Sequence, residues 1–218
     1  MKSRVKILPL LVSFSLLSSG ARATVILTGE GDFTLPGLRL TFELFPSGLP
    51  VPFNADNPGL LRNQWSGLGV VISDDSPANG AGAYSGTYDV LPHSGGHALS
   101  DSDGSLPGGA LFFDFRHPVS GVPAAVAEAG LWVQNGDSSP TSVSFYTTGG
   151  LLLQTISVGK GDTFVGLRAD EGIGRIGITD AEYYLVDDLQ FATIPEPGAP
   201  LLVASALAAG LRFRRRRL

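Results

Sequence analysis

The sequence predicts an all-β protein whose main body, residues 24–193, is a single β-sandwich domain. Short apolar or alternating segments recur from residue 38 to residue 192. Gly- and Asp-rich turns separate them about every 8–12 residues, as in sandwiches and barrels. Helical periodicity is weak throughout. The body is long enough to bury one sizeable core.

Individual elements follow from these patterns. In the first segment, alternate residues from Leu38 to Leu44 are apolar and share one face. Thr147 to Gly150, between two apolar segments, predicts a β-hairpin. Pro123 to Ala129 is the best helix candidate, although it is short and leads into an apolar segment at 130–133. Long loops are expected between Pro46 and Gly109. Strands are predicted over residues 38–44, 69–73, 110–115, 142–146, 151–158, 163–168, 175–179 and 183–192.

The amino-terminal segment has the features of a secretory leader. Lys2, Arg4 and Lys6 precede an apolar stretch that is too short for a permanent membrane span. Ala21-Arg22-Ala23 then fits the small-x-small cleavage rule. We therefore expect residues 1–23 to be a signal peptide removed by signal peptidase.

The carboxyl-terminal segment, residues 194–218, combines three features. Pro195, Glu196 and Pro197 form an extended segment because proline is excluded from helix interiors. Residues 199–211 are uncharged and rich in Leu and Ala, which predicts a short transmembrane helix. A basic cluster follows, and the positive-inside rule places it in the cytoplasm. The cluster consists of Arg212, Arg214, Arg215, Arg216 and Arg217.

This tail resembles the PEP-CTERM sorting signal over residues 195–218. The resemblance implies an exported protein that is anchored transiently in the inner membrane. Its processing partner would be exosortase, a membrane-embedded enzyme. It also implies a final location at the cell surface or outside the cell, with links to exopolysaccharide and biofilm.

The charge of the body excludes some partners. Nine of the 15 basic residues lie in the leader and the tail, whereas 19 of the 20 acidic residues lie in the body. The body therefore carries six cations and a net charge of about −13, which disfavours binding to nucleic acid. Cysteine is absent, which excludes disulfides, thiolate metal sites and cysteine nucleophiles.

Residues 142–191 are similar to jelly-roll sandwiches of the carbohydrate-binding-module kind. The hairpin around residues 143–152, then 174–178 and 186–191, carry this similarity. It implies a polysaccharide ligand. It also implies a structural Ca²⁺ where the first and last strands meet.

The candidate calcium ligands are carboxylates in two regions. Asp101 and Asp103 alternate with serines before a glycine, although no distal glutamate completes an EF-hand loop. Glu30 and Asp188 are further candidates. Asp187 and Asp188 are adjacent, so we expect their side chains to point to opposite faces of a strand. The alternative is that these residues form solvated acidic turns.

Other motifs do not indicate catalysis. Residues 172–177 match G-x-G-x-x-G, but a strand rather than a helix is predicted after them, so we interpret them as a turn. His93 and His97 flank a Gly-Gly pair that disfavours a helical zinc site, and we interpret them as loop histidines. Contact with a sugar is the alternative. The sequence shows no catalytic constellation, so an enzyme is not expected.

Aromatic residues offer a route to sugar binding, because ring faces pack against the C–H surfaces of pyranoses. Trp65 lies in a polar segment and is the aromatic expected to be exposed for a ligand. The other candidates are Trp132, Tyr84, Tyr88, Tyr146, Tyr183 and Tyr184, for which core packing is the alternative. The sequence favours a non-catalytic adhesive or carbohydrate-binding protein. A secreted polysaccharide hydrolase and an ice-binding protein are the rival hypotheses.

Overall fold

The computed structural model describes residues 23–52, 61–74, 80–85, 90–101, 109–136, 138–179 and 183–193. Regular structure in these ranges is β-strand, apart from two short 3-10 turns at Glu30–Asp32 and Ser66–Leu68. The described ranges contain no helix with the length and apolar character needed to cross a membrane. Residues 1–22 of the predicted leader and the whole sorting tail, together with Tyr88 and Asp103, lie outside the described residues.

The strands form two antiparallel sheets, which confirms the predicted all-β sandwich. They are β1 Thr24–Leu27, β2 Gly37–Leu40, β3 Val70–Asp74, β4 Gly82–Tyr84, β5 Ala98–Ser100, β6 Ala110–Phe115, β7 Val126–Asn135, β8 Thr141–Tyr146, β9 Leu152–Val158, β10 Gly161–Ile173, β11 Arg175–Thr179 and β12 Tyr184–Ala192. One sheet has the order β1-β10-β7-β12-β5-β4, with β2 also paired to β12. The five-stranded sheet has the order β3-β6-β11-β8-β9.

The main core lies between the two sheets, because alternate residues of their strands are apolar. In β6, Leu111, Phe113 and Phe115 are buried, whereas Phe112 and Asp114 between them are partly exposed. The same alternation of buried and partly exposed residues runs through β8. The five-stranded sheet therefore has a buried inner face and an accessible outer face.

Most predicted strands of the second half are confirmed. β6 and β11 have the predicted bounds, and β8 and β9 form the predicted hairpin. Gly150 in the turn of this hairpin has a φ of +80°, a conformation that glycine adopts without strain. Gly172 has a φ of +76°, and after Gly174 the chain enters β11. Residues 172–177 thus comprise the end of β10, a tight connection at Gly174 and the start of β11, which confirms a turn that runs into a strand.

The strand predicted over residues 38–44 is shorter in the structure, and the short helix candidate at residues 123–129 is not a helix. The strand predicted over 38–44 ends at Leu40, because Phe42 has a φ of +60° and turns the chain away from the sheet. The helix candidate at 123–129 instead enters β7 at Val126. Pairing of β7 with β10 and β12 outweighs the local helix preference of this short segment.

Candidate functional site

An open cavity lies on the outer face of the five-stranded sheet. Its volume is about 540 Å³, which is within the range of small-molecule sites. Residues of β6, β8 and β11 line it, together with the turn between β8 and β9. We call it the Tyr146 cavity. The side chains that give it its chemistry belong to Phe112, Asp114, Arg116, Tyr146 and Arg175.

Strand pairing brings two aromatic rings together in the Tyr146 cavity. Gly177 of β11 pairs with Phe112 on one side and with Ser144, two residues before Tyr146, on the other. A Cβ atom at Gly177 would lie 2.9 Å from the Phe112 ring and 3.5 Å from the Tyr146 ring. The missing side chain therefore leaves the space into which both rings extend above β11.

A fixed cation lies beside these rings. Arg175 donates from Nε to Oδ1 of Asp114 at 2.7 Å and from Nη2 to Oδ2 at 3.0 Å. Its guanidinium carbon is 5.0 Å from the centre of the Phe112 ring, which is a cation–π distance. The carboxylate and the ring hold the guanidinium in place, and the Arg175 side chain is still 44% exposed.

The turn between β8 and β9 forms a fixed wall of the cavity. The Thr147 N–H donates to the Leu151 carbonyl at 2.9 Å, and the Gly150 N–H donates to the Thr147 carbonyl at 3.0 Å. A Cβ atom at Gly174 would lie only 2.4 Å from the Thr148 nitrogen. The turn therefore packs directly against the backbone before β11, and the cavity is preformed.

Hydroxyl groups continue the outer face beyond the cavity. They belong to partly exposed or exposed residues of the last three strands in the sheet order: Ser142, Ser144, Thr155, Ser157 and Thr179. The Ser144 and Thr155 hydroxyl oxygens are 2.9 Å apart. Aromatic rings thus stand next to groups that can both donate and accept hydrogen bonds.

A second polar cluster lies where the 3-10 turn at Glu30–Asp32 and the loop around His93 contact β7 and β12. We call it the Arg39 cluster, and it comprises Glu30, Arg39, Asp187 and Asp188. Arg39 donates from Nε and Nη2 to the two carboxylate oxygens of Asp188, at 3.2 and 2.7 Å. Its Nη1 donates to Oε2 of Glu30 at 3.1 Å. The Asp188 side chain is fully buried, so this guanidinium compensates a buried charge.

The two aspartates do not point to opposite faces, which corrects the sequence prediction. The Ser94 N–H donates to Asp187 at 2.9 Å, and the Ser94 hydroxyl donates to Asp188 at 3.0 Å. Asp188 has a φ of +51°, and the pairing of β12 with β7 shifts register between Asp187 and Gln190. This bulge breaks the strand alternation and turns both carboxylates toward one serine.

The carboxyl group of Asp187 has an unusual pKa. Burial raises the pKa of its carboxyl from 3.8 to about 7, and the charges of Asp188 and Glu43 add to the rise. Hydrogen bonds from the Ser94 and Asp188 N–H groups act in the opposite direction. The folded chain therefore keeps a proton that the unfolded chain releases near pH 3.8, so this group's contribution to stability declines as the pH rises from about 4 to 7.

The Arg39 cluster brings together two of the predicted calcium ligands, Glu30 and Asp188, and places His93 beside them within 4.8 Å. Calcium requires six to eight oxygen ligands. Both carboxylates are already hydrogen-bonded to Arg39, and Trp132 Nε1 also donates to Glu30, at 2.8 Å. This arrangement does not fit a calcium ion, because the guanidinium provides the positive charge.

The remaining predicted calcium ligands lie elsewhere. Asp101 directly follows β5, where its carbonyl accepts a hydrogen bond from the Tyr84 hydroxyl at 3.4 Å. It does not belong to the group of Glu30, His93 and Asp188. Calcium binding by this protein stays a prediction.

The two loop histidines make contacts within the protein. The His93 ring stacks on Trp132 with 3.6 Å between ring centres, and its Nδ1 is 2.5 Å from an oxygen of Asp162. His97 Nδ1 lies 3.0 Å from an oxygen of Glu43. His93 therefore covers one face of the Trp132 ring, and Glu30 accepts a hydrogen bond from its indole nitrogen.

The exposed position predicted for Trp65 is wrong. Its side chain is 1% exposed and belongs to the main core. The Trp65 ring packs against Phe42 and Phe45, with ring centres 5.4 and 5.6 Å away. The polar neighbours of Trp65 in the sequence lie in a loop, but the indole points inward. Trp65 therefore offers no ring face for stacking on a sugar.

Sequence reasoning named Tyr146 as one aromatic among several but missed the residues around it. The single polar residue of β6, Asp114, was a usable signal, because side chains alternate along a strand and Phe112 therefore shares the face of Asp114 opposite the core. The pairing of this face with Arg175 and Gly177 depends on sheet order, which the sequence does not display. No sequence signal marks Arg116, which lies just after β6.

Comparison with known proteins gives remote likenesses. No protein-family model and no curated protein matches the sequence. Among solved structures, the chain is similar to the family 29 carbohydrate-binding module CBM29-2, with 12% identity, a TM-score of 0.37, and coverage of 72% of this chain and 92% of the module. It is also similar to TmCBM61 in complex with β-1,4-galactotriose, with 18% identity, a TM-score of 0.31, and coverage of 62% and 90%.

A third similar structure is the isomalto-dextranase of Arthrobacter globiformis T6 complexed with panose. It shares 14% identity with a TM-score of 0.34, over 77% of this chain and 34% of the enzyme. None of these values is high enough to transfer a site residue or a ligand to this chain.

Proposed function

We propose that this protein is an exported, non-catalytic carbohydrate-binding protein whose sugar site is the Tyr146 cavity. The observation that carries the proposal is the meeting of Tyr146 and Phe112 over Gly177 on an accessible sheet face. A ring face there can pack against the C–H surface of a pyranose. The Asp114–Arg175 pair and the neighbouring hydroxyl row supply hydrogen-bonding groups for sugar hydroxyls.

The carboxylates support binding rather than hydrolysis. A glycosidase of the usual kind needs two carboxylates on either side of the scissile bond, about 5–10 Å apart. Among the described residues that line the Tyr146 cavity, Asp114 is the only acid, and Arg175 engages both of its oxygens. The raised pKa of Asp187 is the one observation that favours the hydrolase alternative. However, Asp187 is fully buried, and a substrate would have to displace the covering loops.

The first test removes the Tyr146 ring. We expect Tyr146→Ala to weaken binding to its target polysaccharide about tenfold, whereas Tyr146→Phe keeps most of the affinity because the ring face remains. The measurement is affinity gel electrophoresis of the full-length protein against a panel that includes polygalacturonate and β-1,4-galactan.

Leu91→Ala is the matched control, because Leu91 is 71% exposed and lines a different cavity. Its mobility in every gel should equal that of the natural chain. Equal retardation of Tyr146→Ala and the natural chain by a bound polysaccharide would contradict the proposed site.

Export and processing form the second part of the proposal. The leader and the Pro195-Glu196-Pro197 tail support a route through signal peptidase and an exosortase-type enzyme to the cell surface or exopolysaccharide matrix. We expect Glu196→Gln, or replacement of the five terminal arginines by glutamine, to leave unprocessed precursor in the membrane fraction. Glu182→Gln in the body should mature normally. Normal maturation of the tail variants as well would disprove the sorting route.

A further inference from the structure

We infer that the Tyr146 cavity is selective for an anionic sugar, specifically a uronic acid residue whose carboxylate is bound by Arg116 and Arg175. This inference rests on the proposed carbohydrate-binding function and specifies the ligand class of that site. It goes beyond a general sugar platform because it assigns a role to the charges of the cavity.

The distribution of basic residues supports an anionic ligand. The body contains only six basic residues against 19 acidic ones. Two of the six, Arg116 and Arg175, line the Tyr146 cavity, where Asp114 is the only described acid. The cavity is therefore positive within a strongly negative protein. A neutral glycan gains nothing from this local charge, whereas a carboxylate does.

Arg116 also supports the inference, because the described residues do not neutralise its positive charge. Its Nη1 donates to the Gly121 carbonyl over a long 3.3 Å, and no carboxylate of the described residues forms an ion pair with it. Its Nε is buried without a hydrogen-bond acceptor. A buried donor without a partner is costly, and an anion beside this guanidinium would compensate its charge.

Arg175 supports the inference as well, because its guanidinium is oriented to recognise a carboxylate. Asp114 engages its Nε and Nη2, and the Phe112 ring supports one side of the guanidinium. Among the described residues no acceptor engages Nη1, and the side chain is 44% exposed. A planar, fixed guanidinium suits a planar carboxylate better than a flexible lysine would. The ring of a uronic acid could pack on Tyr146 while its carboxylate meets these arginines.

The experiment compares oligosaccharides with a carboxylate, a neutral ester or a sulfate, and variants that lose one positive charge. Binding of the full-length protein to oligogalacturonate, its methyl ester and a sulfated galactan oligosaccharide is measured by isothermal titration calorimetry. We expect oligogalacturonate to bind at least about tenfold more tightly than the methyl ester, the scale of a charge-assisted hydrogen bond. Arg116→Gln should remove most of this difference, because it weakens binding of oligogalacturonate more than binding of the ester. Lys160→Gln, the same charge change in another cavity, should preserve it.

Other results of the calorimetry would overturn the inference or the proposed function, and they can be told apart. Equal binding of the acid and the ester, with both lost in Tyr146→Ala, would overturn the anionic preference and leave the proposed function intact. Tighter binding of the sulfated oligosaccharide than of oligogalacturonate would overturn the assignment to a carboxylate. Selectivity that persists in Arg116→Gln would overturn the role of Arg116. Failure to bind any glycan would contradict the proposed function itself.

Discussion

Replacing Arg39 by methionine should destabilise the protein by about 2 kcal/mol, because it leaves the buried Asp188 carboxylate unpaired, while water already screens part of the interaction of the 42% exposed Arg39 side chain. Arg39 makes two hydrogen bonds to the fully buried Asp188 and one to Glu30. Methionine fills similar space but leaves the Asp188 charge without compensation. The free energy of unfolding is measured by urea titration at pH 5 and pH 8. The loss should be larger at pH 8, because Asp187 is then also ionised.

Two controls separate this effect from a change in net charge or from calcium. Lys160→Met removes the same charge from an exposed residue and should change stability by less than about 0.5 kcal/mol. Addition of EDTA should leave the difference in stability between the natural chain and Arg39→Met unchanged, because Arg39 already engages Glu30 and Asp188. A stable Arg39→Met variant, or a difference in stability that EDTA abolishes, would contradict the assigned role of Arg39.

Replacing Trp65 by alanine should cost about 3–5 kcal/mol of stability, as expected for a large buried aromatic side chain. Trp65 is 1% exposed and packs between Phe42 and Phe45. Truncation would leave a cavity next to residues that already depart from regular strand geometry, such as Phe42 with its positive φ. Thermal unfolding followed by circular dichroism measures this loss.

Glycan binding separates a core role of Trp65 from a ligand-binding role. At a temperature where Trp65→Ala is still folded, its affinity for polysaccharide should equal that of the natural chain. Tyr146→Ala should behave in the opposite way, with weaker binding and a small change in stability. Weak binding by a well-folded Trp65→Ala protein would show that Trp65 contributes to the site.

The sequence predicted those strands that are short apolar segments bounded by turn residues. β6 and the hairpin of β8 and β9 are clear examples, because β6 is a compact apolar segment and a Gly-Gly turn separates the other two. The sequence prediction failed where a positive φ angle overrides the strand pattern. Phe42 has a positive φ, and the predicted strand ends before it. Asp188 also has a positive φ, and its carboxylate therefore lies on the same side as that of Asp187.

The candidate site could be predicted only in part, because it is assembled from strands distant in the sequence. Tyr146 was recognisable as an aromatic candidate, but its partner Phe112 depends on β11 lying between β6 and β8. Gly177 matters only through this arrangement, since its missing side chain makes room for both rings. Polar neighbours suggested that Trp65 is exposed, because a loop backbone at the surface does not reveal that a large side chain turns inward.

A nuclear magnetic resonance titration of the full-length protein in detergent with oligogalacturonate locates the sugar site directly. We expect the largest amide shift changes around Phe112, Tyr146, Thr148 and Arg175, which line the Tyr146 cavity. Changes concentrated around His93 and Lys160 in the cavity of about 340 Å³ beside the seven-stranded sheet would contradict the proposed site.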